Sequence, residues 1–394
     1  MGKMFSIDLK CISCGATCSP TEKVIVCSKC GGVLDARYDL GEIQRKSDKR
    51  LLKNRTRSLW RYREFLPIEK DESIVSMGEG LTPLKKVSSY AASIGLSDLV
   101  LKLDFLNPTG SFKDRGTTVS VSKLRELKIR AVMDDSSGNA GCSLAAYCAA
   151  AAIDCTLYVP ATAPREKLLQ AEIYGAKIVK ITGSRTDVAR AAQDALKASG
   201  LHYASHNLSP FFFEGMKTLA YEIAEDLGWR VPDHVVFPVG TGALLAGAGK
   251  GFEELVQLGW VDRVPKLHCI QSEACMPIVE AFRRGSMLVK PATERETIAG
   301  GIRISNPARG KQVLQALRRT QGEAASVTDE AILRHQKLLA RREGIFAEPS
   351  SCAALAGVEK LLEADTVDSY ESVVVPLTGF GLKDTNSAEK SLAH

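Results

Sequence analysis

Apolar runs alternate with amphipathic segments through the middle of the chain. Runs of strand length lie at 131–134, 155–159 and 177–181. Segments with helical spacing follow them at 141–152, 165–174 and 187–198. Since a run of period two followed by a segment of period 3.6 is typical of a βαβ unit, this order predicts a parallel sheet with helices on both faces.

A second series of apolar runs follows the first, at 235–239, 267–270 and 373–377. A further short run at 99–104 predicts a strand that leads into the segment around Lys113. The Arg-Val-Pro-Asp segment near 229–233 has the composition of a linker between the two series. The chain of 394 residues is long enough for two domains with cores of their own. We therefore expect an α/β protein with two sheet-containing domains.

Composition and charge narrow the class of partner. Hydrophobic residues make up 45% and charged residues 25%, and the net charge of +6 is dispersed along the chain. This pattern does not favour nucleic acid. The apolar run 144–153 is stopped by Asp154, and no leader-like segment opens the sequence. We expect a cytoplasmic protein with no membrane or nucleic-acid partner and with a small-molecule substrate.

Two cysteine pairs near the start of the chain have the spacing of a metal site. Cys11 and Cys14 form one pair and Cys27 and Cys30 the other, and a glycine follows each second cysteine. Each pair can direct two thiolates at one ion, and four thiolates suit a closed tetrahedral zinc site. The pattern predicts a zinc ribbon whose metal is structural, and Cys18 lies outside the pairing. The alternative is four reduced cysteines in a small β-unit.

One lysine lies where a turn-rich segment becomes a helix. Lys113 follows Asn-Pro-Thr-Gly-Ser-Phe, and beyond it Val119, Val121 and Leu124 are spaced for one buried face. A lysine held in this way can be desolvated, which frees its amine as a nucleophile. Pyridoxal phosphate (PLP), bound as a Schiff base, is the carbonyl partner that suits such an amine. The alternative is a surface lysine in a Lys-Asp-Arg cluster.

Two further segments follow predicted strands and could bind ligands. Ser136, Ser137 and Asn139 open a helix, where backbone N–H groups favour a carboxylate. The residues Gly240, Thr241, Gly242 and Ala243 form a loop whose N–H groups could surround a phosphate. Each segment by itself is equally compatible with a helix cap or a simple turn.

Thr378 ends the last predicted strand, on a glycine turn. Its neutral hydroxyl could meet a pyridine nitrogen without holding that nitrogen protonated, as a carboxylate would. This would limit the electron sink and favours elimination chemistry over transamination.

Taken in order, these motifs resemble the threonine synthase family of fold-type II pyridoxal-phosphate enzymes. The resemblance covers nearly the whole chain and rests on seven segments: Gly80–Leu84, Asn107–Gly116, Ser136–Ala140, Glu214–Thr218, Pro238–Ala243, Glu348–Ser351 and Leu377–Asp384. It implies two three-layer domains with parallel or mixed sheets and an N-terminal zinc ribbon. The implied partition is 1–38 for the ribbon, 39–98 with 230–394 for a large PLP domain, and 99–229 for a small mobile domain. A homodimer is the expected assembly.

The resemblance also implies roles for individual residues. Lys113 would be the catalytic lysine and hold the cofactor. Asn139 would hold the ring hydroxyl, Gly240 to Ala243 the phosphate, and Thr378 the ring nitrogen. Ser136, Ser137, Ala140 and Phe212 would contact the substrate.

The chain departs from the family pattern where the substrate phosphate is expected to bind. The family motif Asn-Ser-x-Asn-Pro-x-Arg corresponds to His206-Asn207-Leu208-Ser209-Pro210-Phe211-Phe212. Phe212 therefore stands at the position of the arginine and Asn207 at that of the serine. A phosphate leaving group needs charge-assisted donors, which an aromatic ring does not supply. The alternative is that another cation, such as Arg185, Lys217 or Arg303, serves the phosphate.

The leading prediction is thus a PLP-dependent lyase that resembles threonine synthase and converts O-phosphohomoserine to threonine and phosphate. Two alternatives of the same class are β-replacement on phosphoserine, as in cysteate synthase, and serine/threonine dehydration. A regulatory protein that binds cofactor and zinc without turnover is the alternative outside enzymes.

Overall fold

The structure, a computed structural model, describes residues 6–163, 165–183 and 185–393. Its strands are β1 Ser6–Cys11, β2 Thr17–Cys18, β3 Leu34–Tyr38, β4 Leu84–Lys86, β5 Asp98–Lys102, β6 Ala131–Asp134, β7 Asp154–Pro160, β8 Lys177–Ile181, β9 His202–Tyr203, β10 His234–Pro238, β11 Lys266–Ser272, β12 Ala324–Val327 and β13 Ser372–Pro376. Its α-helices are α1 Leu40–Lys46, α2 Ser88–Ser93, α3 Lys113–Glu126, α4 Asn139–Ala151, α5 Arg165–Ile173, α6 Arg185–Ser199, α7 Pro210–Met216, α8 Thr218–Asp226, α9 Ala243–Gln257, α10 Pro277–Arg283, α11 Gly310–Thr320, α12 Asp329–Glu343, α13 Pro349–Glu363 and α14 Thr385–Ala393. Short 3₁₀ helices lie at Lys49–Asn54, Leu59–Phe65, Asp71–Ser73, Asp104–Leu106, Gly300–Ile302 and Gly381–Lys383.

The chain forms two compact units. The first comprises Met1–Leu81 and Asn107–Thr218, and the second comprises Thr82–Leu106 and Leu219–His394. The predicted partition cuts the chain at other residues and stays a prediction. The difference is clearest at β5, which pairs in parallel with β13 in the second unit.

The first unit contains two sheets. A four-stranded parallel sheet has the order β8-β7-β6-β9, and a small antiparallel sheet has the order β2-β1-β3. Helix α4 is rich in alanine, and its small buried side chains let it pack closely against α3. The small sheet has no separate core, because Leu9 and Leu34 share a hydrophobic cluster with Val119 of α3 and Phe211 of α7.

The second unit is built on a six-stranded sheet of order β12-β11-β10-β13-β5-β4. All neighbouring strands are parallel except β4, which runs antiparallel to β5 at the edge. Every residue of β10 is buried, as expected for a central parallel strand covered on both faces. Helix α13 lies on this sheet and contributes seven buried residues to one cluster with β5 and β13, among them Cys352 and Leu355.

The predicted mixed α/β fold with parallel sheets is confirmed. The predicted strands recur within one or two residues of β5, β6, β7, β8, β10, β11 and β13. The pattern missed the short elements, such as β9 and α7, because two to seven residues are too few to show a period. Over the described ranges, none of the helices is long and apolar enough to cross a membrane.

Candidate active site

Lys113 is the first residue of α3, at the end of a tightly held turn. Gly110 adopts a φ of +83°, and its N–H donates to the carbonyl oxygen of Asn107 at 2.8 Å. Glycine suits this left-handed backbone because it lacks a Cβ. The side chain of Lys113 is half-buried, with Nζ 4.4 Å from the centroid of the Phe112 ring. The expected position of the lysine, between a constrained loop and a helix, is therefore the one observed.

A buried carboxylate next to the lysine holds this turn. Asp114 is fully buried and accepts hydrogen bonds from the N–H of Thr109 at 2.7 Å and from its hydroxyl at 2.6 Å. It also accepts from the Ser143 hydroxyl of α4 at 2.6 Å. Burial raises the pKa of Asp114 to about 6, although the hydrogen bonds from Ser143 and Thr109 oppose this rise. The sequence pattern shows an aspartate here but not its burial, so its role was missed.

The loop Asp135–Gly138 joins the end of β6 to the start of α4. The first hydrogen bond within α4 runs from Cys142 N–H to the Gly138 carbonyl at 3.1 Å, so the N–H groups before Cys142 have no acceptor inside the helix. Ser136 and Ala140 are buried, whereas Ser137 and Asn139 are half-buried. This arrangement matches the predicted helix start that could bind a carboxylate.

An acidic residue and a histidine meet at the same sheet edge. Asp134, the last residue of β6, is fully buried and lies 3.1 Å from Nδ1 of His206, which follows the neighbouring parallel strand β9. Burial raises the pKa of Asp134, and the nearby His206 opposes that rise. Sequence reasoning singled out neither residue for this contact, since only the pairing of β6 with β9 brings them together.

The three consecutive phenylalanines belong to α7 and are all buried. A Cβ added to Gly116 would lie 2.6 Å from the ring of Phe212, so this ring packs directly on α3 one turn after Lys113. The ring also meets His206 edge-on, with centroids 5.9 Å apart. Phe212 is thus an apolar neighbour of the first turn of α3.

Two of the three cations considered for the substrate phosphate have carboxylate partners. Lys217 is fully buried, 2.8 Å from Glu214 and 3.8 Å from the ring centroid of Tyr38. Arg303 pairs with Glu296 at 2.6 Å. The side chain of Arg185 lies outside the described residues.

In the second unit, the glycine loop follows β10 and opens α9. Gly242 has a φ of +90°, and the first bond of α9 runs from Ala246 N–H to the Gly242 carbonyl at 3.0 Å. A Cβ on Gly240 would lie 3.1 Å from the carbonyl oxygen of Gly301. The N–H groups before Ala246 have no acceptor inside this helix of 15 residues, and side chains larger than hydrogen would not fit at Gly240 or Gly242. A glycine loop at a helix N-terminus fits a phosphate.

Thr378 follows β13, the strand beside β10, so it lies at the same carboxyl edge of the sheet as the glycine loop. Its side chain is buried and contacts the Ser351 hydroxyl at 2.9 Å. Its Oγ1 is 3.5 Å from a carboxylate oxygen of Glu348. These contacts fit Thr378 as a hydrogen-bond donor to an unprotonated ring nitrogen of PLP.

The four paired cysteines converge in the first unit. The sulfur atoms of Cys11, Cys14, Cys27 and Cys30 all lie within 4.8 Å of one another. Gly32 is required here, because a Cβ would be 2.9 Å from the Cys11 sulfur. Among the described residues no other group of three or more His, Cys, Asp or Glu side chains is placed to hold a metal.

The sequence is similar to those of known pyridoxal-phosphate-dependent enzymes. The profile of a family described as pyridoxal-phosphate dependent enzyme matches residues 75–379. A threonine synthase of Methanocaldococcus jannaschii is 42% identical over 380 residues, covering 96% of this chain and 93% of that protein. A threonine synthase of Methanosarcina acetivorans is also 42% identical, covering 95% of this chain and 92% of its own.

A solved structure agrees at the level of the fold. The processed form of threonine deaminase isoform 2 from Solanum lycopersicum superposes with a TM-score of 0.70 at 20% identity, covering 80% of this chain and 88% of that one. With its lysine, glycine loop and relatives taken together, the chain belongs to the pyridoxal-phosphate-dependent enzymes of fold type II and is a lyase of the threonine synthase kind.

Proposed function

We propose that this enzyme forms threonine and phosphate from O-phosphohomoserine, with PLP attached to Lys113. The observation that carries the proposal is the match to proteins named threonine synthase along almost the whole chain, combined with a half-buried lysine at the start of α3. When bound, PLP supplies the electron sink that stabilises the charge left on the substrate after proton removal.

The chain's own residues would bind the reactants and move the protons. The amine of Lys113 takes the α-proton as general base and returns it later. Asn139 donates to the ring hydroxyl of the cofactor, and the loop Gly240–Ala243 binds the cofactor phosphate. The start of α4, with Ser136 and Ser137, binds the carboxylate of the substrate through backbone N–H groups.

We also propose that Cys11, Cys14, Cys27 and Cys30 bind one zinc ion as a closed tetrahedral site. The convergence of their four sulfur atoms supports this assignment. A closed set of thiolates leaves no position for substrate, so the zinc serves the fold. The homodimer and the cytoplasmic location stay predictions, and light scattering on the purified enzyme measures the first.

Replacing the lysine tests the cofactor assignment. Borohydride should fix PLP to the wild-type chain and not to Lys113→Ala, because the reduced bond requires the amine of that side chain. Peptide mapping of the labelled protein identifies the modified residue. Labelling of another lysine in the Ala variant would place the anchor elsewhere.

One observation favours a second candidate function. Phe212 is buried against Gly116 at the position where the family has its phosphate-binding arginine. Without that arginine, O-phosphohomoserine should lose about 2–4 kcal/mol of recognition, the scale of a charged hydrogen bond with its desolvation, which is on the order of 30- to 1000-fold in kcat/KM. A β-replacement on phosphoserine or a serine/threonine dehydration would then be favoured.

A substrate panel separates these functions. Turnover of O-phosphohomoserine, phosphoserine with sulfite, and threonine is compared in the wild type, Phe212→Arg and Phe212→Ala. We expect Phe212→Arg to raise kcat/KM for O-phosphohomoserine, since its guanidinium can bind phosphate with two hydrogen bonds. Efficient wild-type turnover of that substrate, unchanged in Phe212→Ala, would show that the phosphate binds elsewhere.

A further inference from the structure

Ser351 lies at the start of α13 in the second unit and is fully buried. Its Oγ accepts hydrogen bonds from two consecutive backbone N–H groups, that of Thr378 at 2.9 Å and that of Gly379 at 3.0 Å. Its third neighbour is Oγ1 of Thr378, also at 2.9 Å.

A count of donors and acceptors fixes the direction of the bond between the two hydroxyls. A serine hydroxyl has one proton and two lone pairs. Both lone pairs of Ser351 are used by the N–H groups of Thr378 and Gly379, so its proton must be donated. The Thr378 oxygen at 2.9 Å is a far better acceptor than the Gly379 carbonyl at 3.5 Å.

The hydroxyl proton of Thr378 consequently points away from Ser351. Its oxygen accepts from Ser351, so its own O–H must point away from that bond. The acceptor within reach is the Glu348 carboxylate, at a distance of 3.5 Å where a hydrogen bond is weak. That carboxylate is itself packed against Gly379, where a Cβ would lie 2.2 Å from its carbon.

We propose that Ser351 is a positioning residue that makes Thr378 a hydrogen-bond donor to the cofactor ring nitrogen and so keeps this nitrogen unprotonated. The inference rests on the proposed role of Thr378. An unprotonated ring nitrogen withdraws electrons less strongly, which restricts the enzyme to elimination and replacement. Ser351 would act through Thr378, which it contacts through both the hydroxyl and the backbone N–H.

The test uses holoenzyme reconstituted with PLP that carries an isotopic label at the ring nitrogen. The nitrogen NMR shift distinguishes a protonated, a hydrogen-bonded and an unbonded ring nitrogen. We expect the hydrogen-bonded shift in the wild type and the unbonded shift in Thr378→Val. Ser351→Ala should move the signal toward that of Thr378→Val and lower kcat by about 10- to 100-fold, as for the loss of one oriented hydrogen bond.

Two variants control for packing. Ser350→Ala removes the neighbouring buried hydroxyl, which accepts from Gly301 N–H at 3.0 Å, and should keep the wild-type shift. Ser351→Thr retains a hydroxyl and should also keep it. If Ser351→Ala does not fold, Ser351→Cys takes its place, since a thiol is a weak donor and should move the shift in the same direction.

The outcomes separate the role of Ser351 from that of Thr378. A wild-type shift in Ser351→Ala, together with a moved shift in Thr378→Val, overturns the role of Ser351 and leaves the proposed function standing. An unmoved shift in Thr378→Val, or a protonated nitrogen in the wild type, overturns the role of Thr378 and the inference with it. An equal change of the nitrogen shift in Ser351→Thr and Ser351→Ala also overturns the role of Ser351, because altered packing would then explain the change.

Discussion

The two histidines on adjacent strands of the second unit form a directed hydrogen-bond chain. The N–H of Glu323 donates to Nδ1 of His268 at 3.0 Å, so that nitrogen carries no proton. Nε2 of His268 therefore donates to Nδ1 of His234 at 2.8 Å. Nε2 of His234 in turn donates to Glu371 at 2.9 Å. The chain works only while His268 is neutral.

The hydrogen-bond chain through His268 predicts that the folded protein loses stability in mild acid. Burial lowers the pKa of His268 to about 3, and the positive charge of Lys266 adds to the effect. The unfolded chain binds a proton below its ordinary pKa of 6.5 whereas the folded chain does not, so this stability is present above pH 6.5 and is lost as the pH falls toward 3. The free energy of unfolding should fall by at most about 1.4 kcal/mol per pH unit from this group.

Urea unfolding at several pH values in wild type and His268→Gln measures the effect. Subtracting the two free energies of unfolding cancels the contributions of other titrating groups. Asp114 is one of these, and its raised pKa changes stability in the opposite direction. At pH 8 the difference reports the lost hydrogen bonds alone. A difference that stays constant from pH 8 to pH 5 would contradict the prediction.

At the scale of elements, α3 and α4 are joined by one carboxylate. Asp114 is one residue from Lys113, and Ser143 lies one turn after Asn139 on α4. The 2.6 Å bond between Asp114 and Ser143 therefore sets the spacing of the two helix starts that carry the proposed cofactor contacts. Thr117 adds a second link to Ser143 at 2.8 Å.

Ser143→Ala should weaken PLP binding more than a matched change elsewhere on the same helices. Ser122→Ala is that control, since Ser122 is also fully buried and accepts one bond, from Val75 N–H at 2.9 Å. Each variant should lose about 1–3 kcal/mol of stability, the cost of leaving a buried partner unpaired. The dissociation constant of PLP, measured by absorbance titration of the apoenzyme, should rise only in Ser143→Ala. A similar rise in both would mean that α3 is loosened in general.

At the scale of the whole molecule, the cysteine ribbon is part of the first unit. Its residues Leu9, Cys11, Cys27 and Leu34 lie in one hydrophobic cluster with Val119 of α3 and Phe211 of α7. Loss of the metal should therefore reach beyond the ribbon and lower the stability of that unit. In the proposed function the chemistry at Lys113 does not use the metal directly.

Replacing Cys14 and Cys30 with serine should remove the zinc, about one ion per chain, and lower the thermal midpoint. Cys18→Ser is the control and should keep both, since Cys18 is not one of the four converging sulfurs. Metal analysis and thermal unfolding are the measurements. Turnover should persist in whatever protein stays folded, and its complete loss in a well-folded variant would contradict a purely structural metal.

The fold class and the cofactor of this enzyme could be predicted from sequence because they depend on short motifs and on local hydrophobic patterns. The paired cysteines, the lysine after its turn and the glycine loop each depend on residues a few positions apart, and the parallel strands depend on apolar runs. These local signals were sufficient to predict the cofactor, the fold class and the family. Short elements such as α7 and β9 gave no periodic signal. The tertiary structure decides them, since every residue of α7 is buried and β9 pairs in parallel with β6.

The contacts between distant residues were decided only by tertiary structure. Asp134 meets His206 because β6 and β9 are paired, and Ser351 meets Thr378 because α13 begins beside the end of β13. The burial that raises the pKa of Asp114 likewise comes from packing around it. Sequence by itself thus determined which chemical groups the enzyme has, whereas the fold determined which of them touch, since hydrogen bonds and desolvation depend on distances that spacing along the chain does not specify.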